Sequence, residues 1–203
     1  IMALQLRNQL TRLHDRTYML LREMGNSPGL EKLAQYREIA AAAKALESEV
    51  SGFFNARIFH KIIAYSAYAE GKIEVVLHHR QAILDLYFEW PKIAEQKAEE
   101  LVRAYAKVLE VSYLLEDRDN IQQLEIQISN YRAPNPTVRI NIQLVMVHSE
   151  LLQNITKAEY NPIPLLEKRF LALEKKHPTP AAFPWNLPLH YNFFYGYFMK
   201  FDW

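Results

Sequence analysis

The chain has 203 residues, 50% of them hydrophobic and 23% charged, with a formal net charge of +1 at pH 7, which is typical of a globular protein with a sizeable core. Lys and Arg are scattered among Asp and Glu, so the sequence offers no basic stripe for nucleic acid and no polybasic segment for a membrane surface, and no apolar run approaches the roughly 20 residues that span a bilayer. Cysteine is absent, which excludes disulfides, thiol catalysis and cysteine-based metal sites and favours a reducing cytoplasm.

Apolar residues recur at spacings of three and four along the first part of the chain, which predicts amphipathic helices. One stripe runs from Leu6 to Met24, the segment GNSPG ends it, and a second stripe runs from Tyr36 to Val50. Because the connection is short, residues 1–52 are predicted to form an antiparallel helical hairpin.

Further helices are predicted after residue 52, with most prolines between them rather than within them. In chain order they cover Asn55–Glu70, Lys72–Glu89, Pro91–Glu116, Asn120–Tyr131, Pro136–Thr156 and Pro164–Lys176. Asp119 is the predicted cap of the fourth of these. No segment shows the strict alternation of a half-buried strand, so the predicted class is all-α.

Three segments share a tyrosine near the end of one helix, a short turn and an apolar residue that opens the next helix. They are AYAEGKIEVV, SYLLEDRDNIQQL and GYFMKFDW, which contain Tyr68, Tyr113 and Tyr197. This pattern resembles the tetratricopeptide repeat, whose unit has a late tyrosine in its first helix and a Gly-Asp-aromatic turn. The resemblance implies that residues 53–203 are antiparallel helix pairs, stacked as a right-handed α-solenoid, with an incomplete last repeat.

The end of the chain, NFFYGYFMKFDW, is more than half aromatic and is predicted to belong to a helix that starts near Pro188. One face of this helix is expected to pack on the Pro164–Lys176 helix through Tyr191, Phe194, Tyr195 or Phe198. The other face, with Phe193, Tyr197, Phe201 and Trp203, is expected to lack cover and to support self-association. Both ends of the chain are expected to continue into a longer protein.

The sequence shows no constellation that predicts catalysis. His78 and His79 are adjacent, which places them on different faces of a helix, and His148 lies in an apolar stretch where an interior histidine is expected. There is no HExxH motif, no glycine-rich phosphate loop and no GxSxG motif. We therefore expect no enzyme activity, no metal and no cofactor.

The repeat resemblance implies a concave groove lined by the first helix of each pair. Alignment with the family pattern places these residues in the groove: Lys61, Tyr65, Tyr68, Arg103, Lys107, Arg139 and Gln143. The set is mildly basic with interleaved aromatic rings, which would suit an acidic or C-terminal peptide. The alternative for each residue is an ordinary solvated helix face.

The leading hypothesis is a bacterial-type cytoplasmic interaction scaffold that binds another protein or a peptide. It predicts no nucleic-acid partner and no membrane. The alternative is a regulatory domain of a longer regulator that senses a peptide or a small ligand.

Overall fold

The computed structural model describes residues 2–22 and 30–177, together with the single positions 192, 193 and 196. Within these ranges the chain is helical almost throughout and contains no strand, which confirms the all-α class. The helices are α1 Met2–Arg22, α2 Leu30–Ala45, α3 Gly52–Ala69, α4 Ile73–Glu89, α5 Pro91–Gln96, α6 Ala98–Leu114, α7 Arg118–Asn130, α8 Pro136–Thr156 and α9 Ile163–Lys176. Over residues 2–22 and 30–177, none of them is both long enough and apolar enough to cross a membrane.

The chain divides into two compact units. The first contains Ile1–Gln96 with Leu114–Glu116, and the second contains Lys97–Tyr113 with Asp117–Trp203. Because α1 and α2 both pack on α3, the first unit extends well beyond the hairpin that the sequence predicts for residues 1–52. The main boundary between the compact units lies between Gln96 and Lys97, whereas the predicted boundary lies between residues 52 and 53.

α3 is the central helix of the first unit and contacts α1, α2 and α4. The core between α1, α2 and α3 is formed by Leu6, Leu10, Leu20, Tyr36, Ile39, Ala43, Phe59, Ile62 and Ile63. α4 packs on another side of α3, where the rings of Phe53 and Tyr87 meet edge to face with centroids 5.0 Å apart. Gly71, in the turn between α3 and α4, has a φ of +71°, a conformation that glycine adopts without strain.

The second unit is built around the buried faces of α6, α8 and α9. Val102 and Leu109 of α6, Val145 of α8 and Phe170 of α9 are at most 3% exposed. α8 packs along α9 and also contacts α7. α8 begins with the predicted proline, and the side chain of Asn135 caps it by accepting the Val138 backbone N–H at 2.9 Å.

Four predicted boundaries differ from the structure. α3 begins at Gly52 rather than at the predicted Asn55, so Phe53 and Phe54 belong to this helix. α2 ends at Ala45, and a single 3-10 turn over Glu47–Glu49 follows it. The helix predicted over Pro91–Glu116 is interrupted at Lys97, which separates α5 from α6. The cap of α7 is Asp117 rather than Asp119, because the Asp117 carboxylate accepts the Asn120 backbone N–H at 3.1 Å.

The aromatic end of the chain lies almost entirely outside the described residues, and so does most of its predicted helix. Phe193 is described, and it is 3% exposed, with its ring centroid 5.5 Å from that of Phe170 in α9. The prediction that Phe193 lies on an uncovered face is therefore wrong. Tyr197, Phe201 and Trp203 are outside the described residues.

Candidate functional site

The seven residues predicted for the groove fall on three helices in two units. Lys61, Tyr65 and Tyr68 lie on α3 in the first unit. Arg103 and Lys107 lie on α6, and Arg139 and Gln143 lie on α8, in the second unit. The structure thus brings the first three together on one helix.

One accessible side of α3 carries both aromatic and basic residues. Phe54, Arg57, Lys61, Tyr65 and Tyr68 follow one another at spacings of three and four, so their side chains leave the helix within about 80° of arc. Phe54 is 42% exposed and Tyr68 is 55% exposed, whereas Arg57, Lys61 and Tyr65 are partly buried. We call these five residues, with Arg7 of α1 and Arg80 of α4, the α3 face.

Two arginines from neighbouring helices stack on rings of the α3 face. The guanidinium carbon of Arg7 lies 5.4 Å from the centroid of the Phe54 ring, and that of Arg80 lies 5.0 Å from the centroid of the Tyr65 ring. Both distances are within the range of favourable cation–π contacts. A guanidinium over a ring can still donate N–H hydrogen bonds to a carboxylate, because a cation–π contact uses none of its donors. Sequence reasoning missed both arginines, because they come from other helices.

The electrostatics of the α3 face are positive around Tyr65. His14 of α1 lies beside this ring, with the centroids 6.3 Å apart, and burial together with the charge of Lys61 lowers the pKa of His14. The Nε atom of Arg80 is buried and has no hydrogen-bond partner. Asp15, next to His14, contributes one negative charge at the edge, with its Oδ1 3.5 Å from His14 Nδ1.

The four predicted residues of the second unit have different surroundings. Arg103 is exposed, and Lys107 forms an ion pair with Glu110 at 2.7 Å. Arg139 and Gln143 are both exposed and lie one turn apart on α8. Gln143 also lines a cleft of about 380 Å³ between α8 and α9.

A pair of histidines between α3 and α4 was missed in the sequence. His60 Nδ1 and His79 Nδ1 are 2.8 Å apart, a hydrogen-bond distance that requires one nitrogen to donate and the other to accept. Burial, followed by the charges of His60 and His78, lowers the pKa of His79 to about 4. Burial also lowers the pKa of His60. The sequence gives no local signal for this pair, because its members are 19 residues apart on successive helices.

The second unit contains a buried polar network that joins α6, α7 and α8. Ser149 donates a hydrogen bond to Glu125, Tyr113 lies 2.9 Å from the Ser149 hydroxyl, and Gln153 donates to Glu125 at 2.9 Å. Ser149 is completely buried. The network therefore holds helices together and does not present a nucleophile to solvent.

His148 is 2% exposed, as the sequence predicts, and contacts the Asn192 side chain at 3.0 Å. Within residues 2–22 and 30–177 and the three isolated positions, no group of three or more His, Asp or Glu side chains is placed to hold a metal ion.

Comparison of the chain with models of known protein families, with curated proteins and with solved structures finds no match in any of the three. The function proposed below is therefore based on the contacts and charges of the described residues.

Proposed function

We propose that this chain is an interaction scaffold, without catalysis of its own, that binds an acidic peptide along the α3 face. The observation that carries the proposal is the grouping of cations and aromatic rings on one accessible side of α3, with the guanidinium groups of Arg7 and Arg80 over two of the rings. The repeat resemblance further implies a right-handed solenoid with a continuous groove, and both are hypotheses about this scaffold.

The chemistry of the α3 face favours a carboxylate-rich partner. The cations Arg7, Lys61 and Arg80 attract negative charge, and the two stacked guanidinium groups are held in place before a ligand arrives. Phe54 and Tyr68 add accessible apolar area at the two ends of the face.

The length of the α3 face sets the length of the partner segment. From Phe54 to Tyr68 the helix rises about 21 Å, which an extended peptide covers with about six residues. A fluorescein-labelled hexaglutamate peptide is therefore a suitable probe for fluorescence-anisotropy titration.

The experiment compares two double charge reversals with the unmodified chain. We expect Arg7→Glu with Lys61→Glu to weaken hexaglutamate binding about tenfold or more and to reduce its salt dependence. Arg103→Glu with Lys107→Glu is the matched control, because it reverses two cations of the second unit that do not line the cleft between α8 and α9, and it should leave the affinity unchanged.

Circular dichroism verifies that both double variants keep their helix content. Equal weakening by the two variants would favour the seven-residue groove over the α3 face. Unchanged binding by Arg7→Glu with Lys61→Glu would refute the proposal.

A further inference from the structure

The cleft between α8 and α9 has an apolar floor. Ile142 and Met146 of α8 face Ala172 and Leu173 of α9 across a space of about 380 Å³. Ile142, Met146 and Leu173 are partly buried and Ala172 is exposed, so the cleft opens to solvent. Methionine adapts its shape to different apolar partners, which suits the floor of a docking site.

The rim of the same cleft is polar and mainly basic. Arg169 and Lys176 border it on α9, Gln143 borders it on α8, and exposed Arg139 lies one turn before Gln143. The guanidinium of Arg169 is held by an ion pair with Glu150 at 2.7 Å, and Glu150 is the carboxylate identified beside this rim. The rim therefore carries an excess of positive charge over an apolar floor.

We propose that this cleft is a second docking site, distinct from the α3 face, for a short acidic peptide segment that inserts one bulky apolar side chain. Arg169 and Lys176 are seven positions apart, which corresponds to about 10 Å along α9 and to about three residues of extended peptide. The apolar floor receives the central side chain, and Lys176, Arg139 and the Gln143 amide receive the flanking carboxylates. This inference does not rest on the α3 face.

The test uses the pentapeptide acetyl-Glu-Glu-Leu-Glu-Glu-amide and the ¹³C-labelled methyl group of Met146 in the whole chain. We expect the peptide to shift the Met146 methyl signal in a saturable manner and to leave that of Met19, which is in the first unit, unchanged. Replacing the central Leu with Ala should weaken binding about tenfold, because most of the buried methylene groups are lost. Replacing the four Glu residues with Lys should abolish it.

Two pairs of variants locate the site. Lys176→Glu should weaken binding about tenfold, whereas Lys175→Glu reverses the adjacent exposed cation, which does not line the cleft, and should have little effect. Ala172→Trp should fill the cleft and abolish binding, whereas Leu171→Trp on the neighbouring exposed position should not.

An unshifted Met146 signal at millimolar peptide would overturn the proposal. Equal effects of Lys176→Glu and Lys175→Glu would overturn it too. If octanoate binds more tightly than the pentapeptide and produces the same Met146 shift, the proposal of a peptide ligand is overturned in favour of a small amphiphilic acid. Arg7→Glu with Lys61→Glu should leave the Met146 response intact, so failure of this site and failure of the α3 face give different results.

Discussion

The hydrogen bond between His60 and His79 makes the packing of α4 on α3 sensitive to pH. An N–H···N bond survives while at least one ring is neutral, and two protonated rings repel each other. His78, Lys44 and Glu47 act on the same pair, and of these only Glu47 favours protonation. Because burial is the largest cause of both shifts, the neutral rings are a consequence of helix packing.

The first prediction is that the chain loses stability on acidification in part through this pair. The pKa of His79 falls from 6.5 in the unfolded chain to about 4 in the folded one. Between these pH values the unfolded chain binds more protons than the folded chain. The contribution of neutral His79 to the free energy of unfolding is therefore complete above pH 6.5 and is lost as the pH falls towards 4. The loss is on the order of 1 kcal/mol, because solvent reaches part of both rings.

Urea unfolding followed by circular dichroism at pH 7.0, 5.5 and 4.5 measures this loss. His79→Gln should show a shallower decrease of the unfolding free energy with pH than the unmodified chain. His14 and His148, whose pKa values are also lowered, are present in both proteins, so the comparison isolates the pair. An identical pH dependence in the two proteins would show that the pair does not contribute.

The prediction of a helix end from the sequence depends on which single residue caps the helix. Asn135 followed by Pro136 is an unambiguous start, and α8 begins there. In the segment EDRDN the sequence predicts Asp119 as the cap, whereas the structure places the cap at Asp117. Glu116 adopts a φ of +55°, and the Asn120 side chain donates to Ser112 Oγ at 2.8 Å, so the helix starts after Asp117.

The second prediction follows from that cap. Asp117→Ala should lower the unfolding free energy by about 1 kcal/mol, because the Asn120 backbone N–H loses its acceptor. Asp119→Ala is the matched control and should cost only a few tenths of a kcal/mol, from the lost charge near the helix start. Thermal and urea unfolding of both variants measure the difference. A larger effect at Asp119 would show that the sequence-based cap was right.

The interruption at Lys97 has no counterpart in the sequence pattern. The apolar periodicity runs through from Pro91 to Glu116, and no Gly or Pro stands at the break. A propensity argument therefore predicts one long helix, whereas tertiary packing separates α5 from α6.

For the molecule as a whole, the helical class and most helix positions follow from apolar spacing and from prolines between helices. Three residues of the α3 face, Lys61, Tyr65 and Tyr68, are among those that the repeat resemblance implies for a groove, and they share one helix. Arg7 and Arg80 were not found, because their contacts with Phe54 and Tyr65 depend on how α1 and α4 pack on α3. The predicted division at residues 52 and 53 does not coincide with the two compact units, which depend on the same helix packing.

Docking of an acidic peptide on the α3 face can be observed by nuclear magnetic resonance of the ¹⁵N-labelled chain during titration with hexaglutamate. We predict that the shifted signals cluster at Phe54, Lys61, Tyr68 and Arg7. The Arg80 and Tyr65 signals should shift as well, because a carboxylate near the Arg80 guanidinium changes its contact with the ring. Shifts confined to residues 97–177, with the signals of residues 52–69 unchanged at saturating peptide, would refute docking on the α3 face.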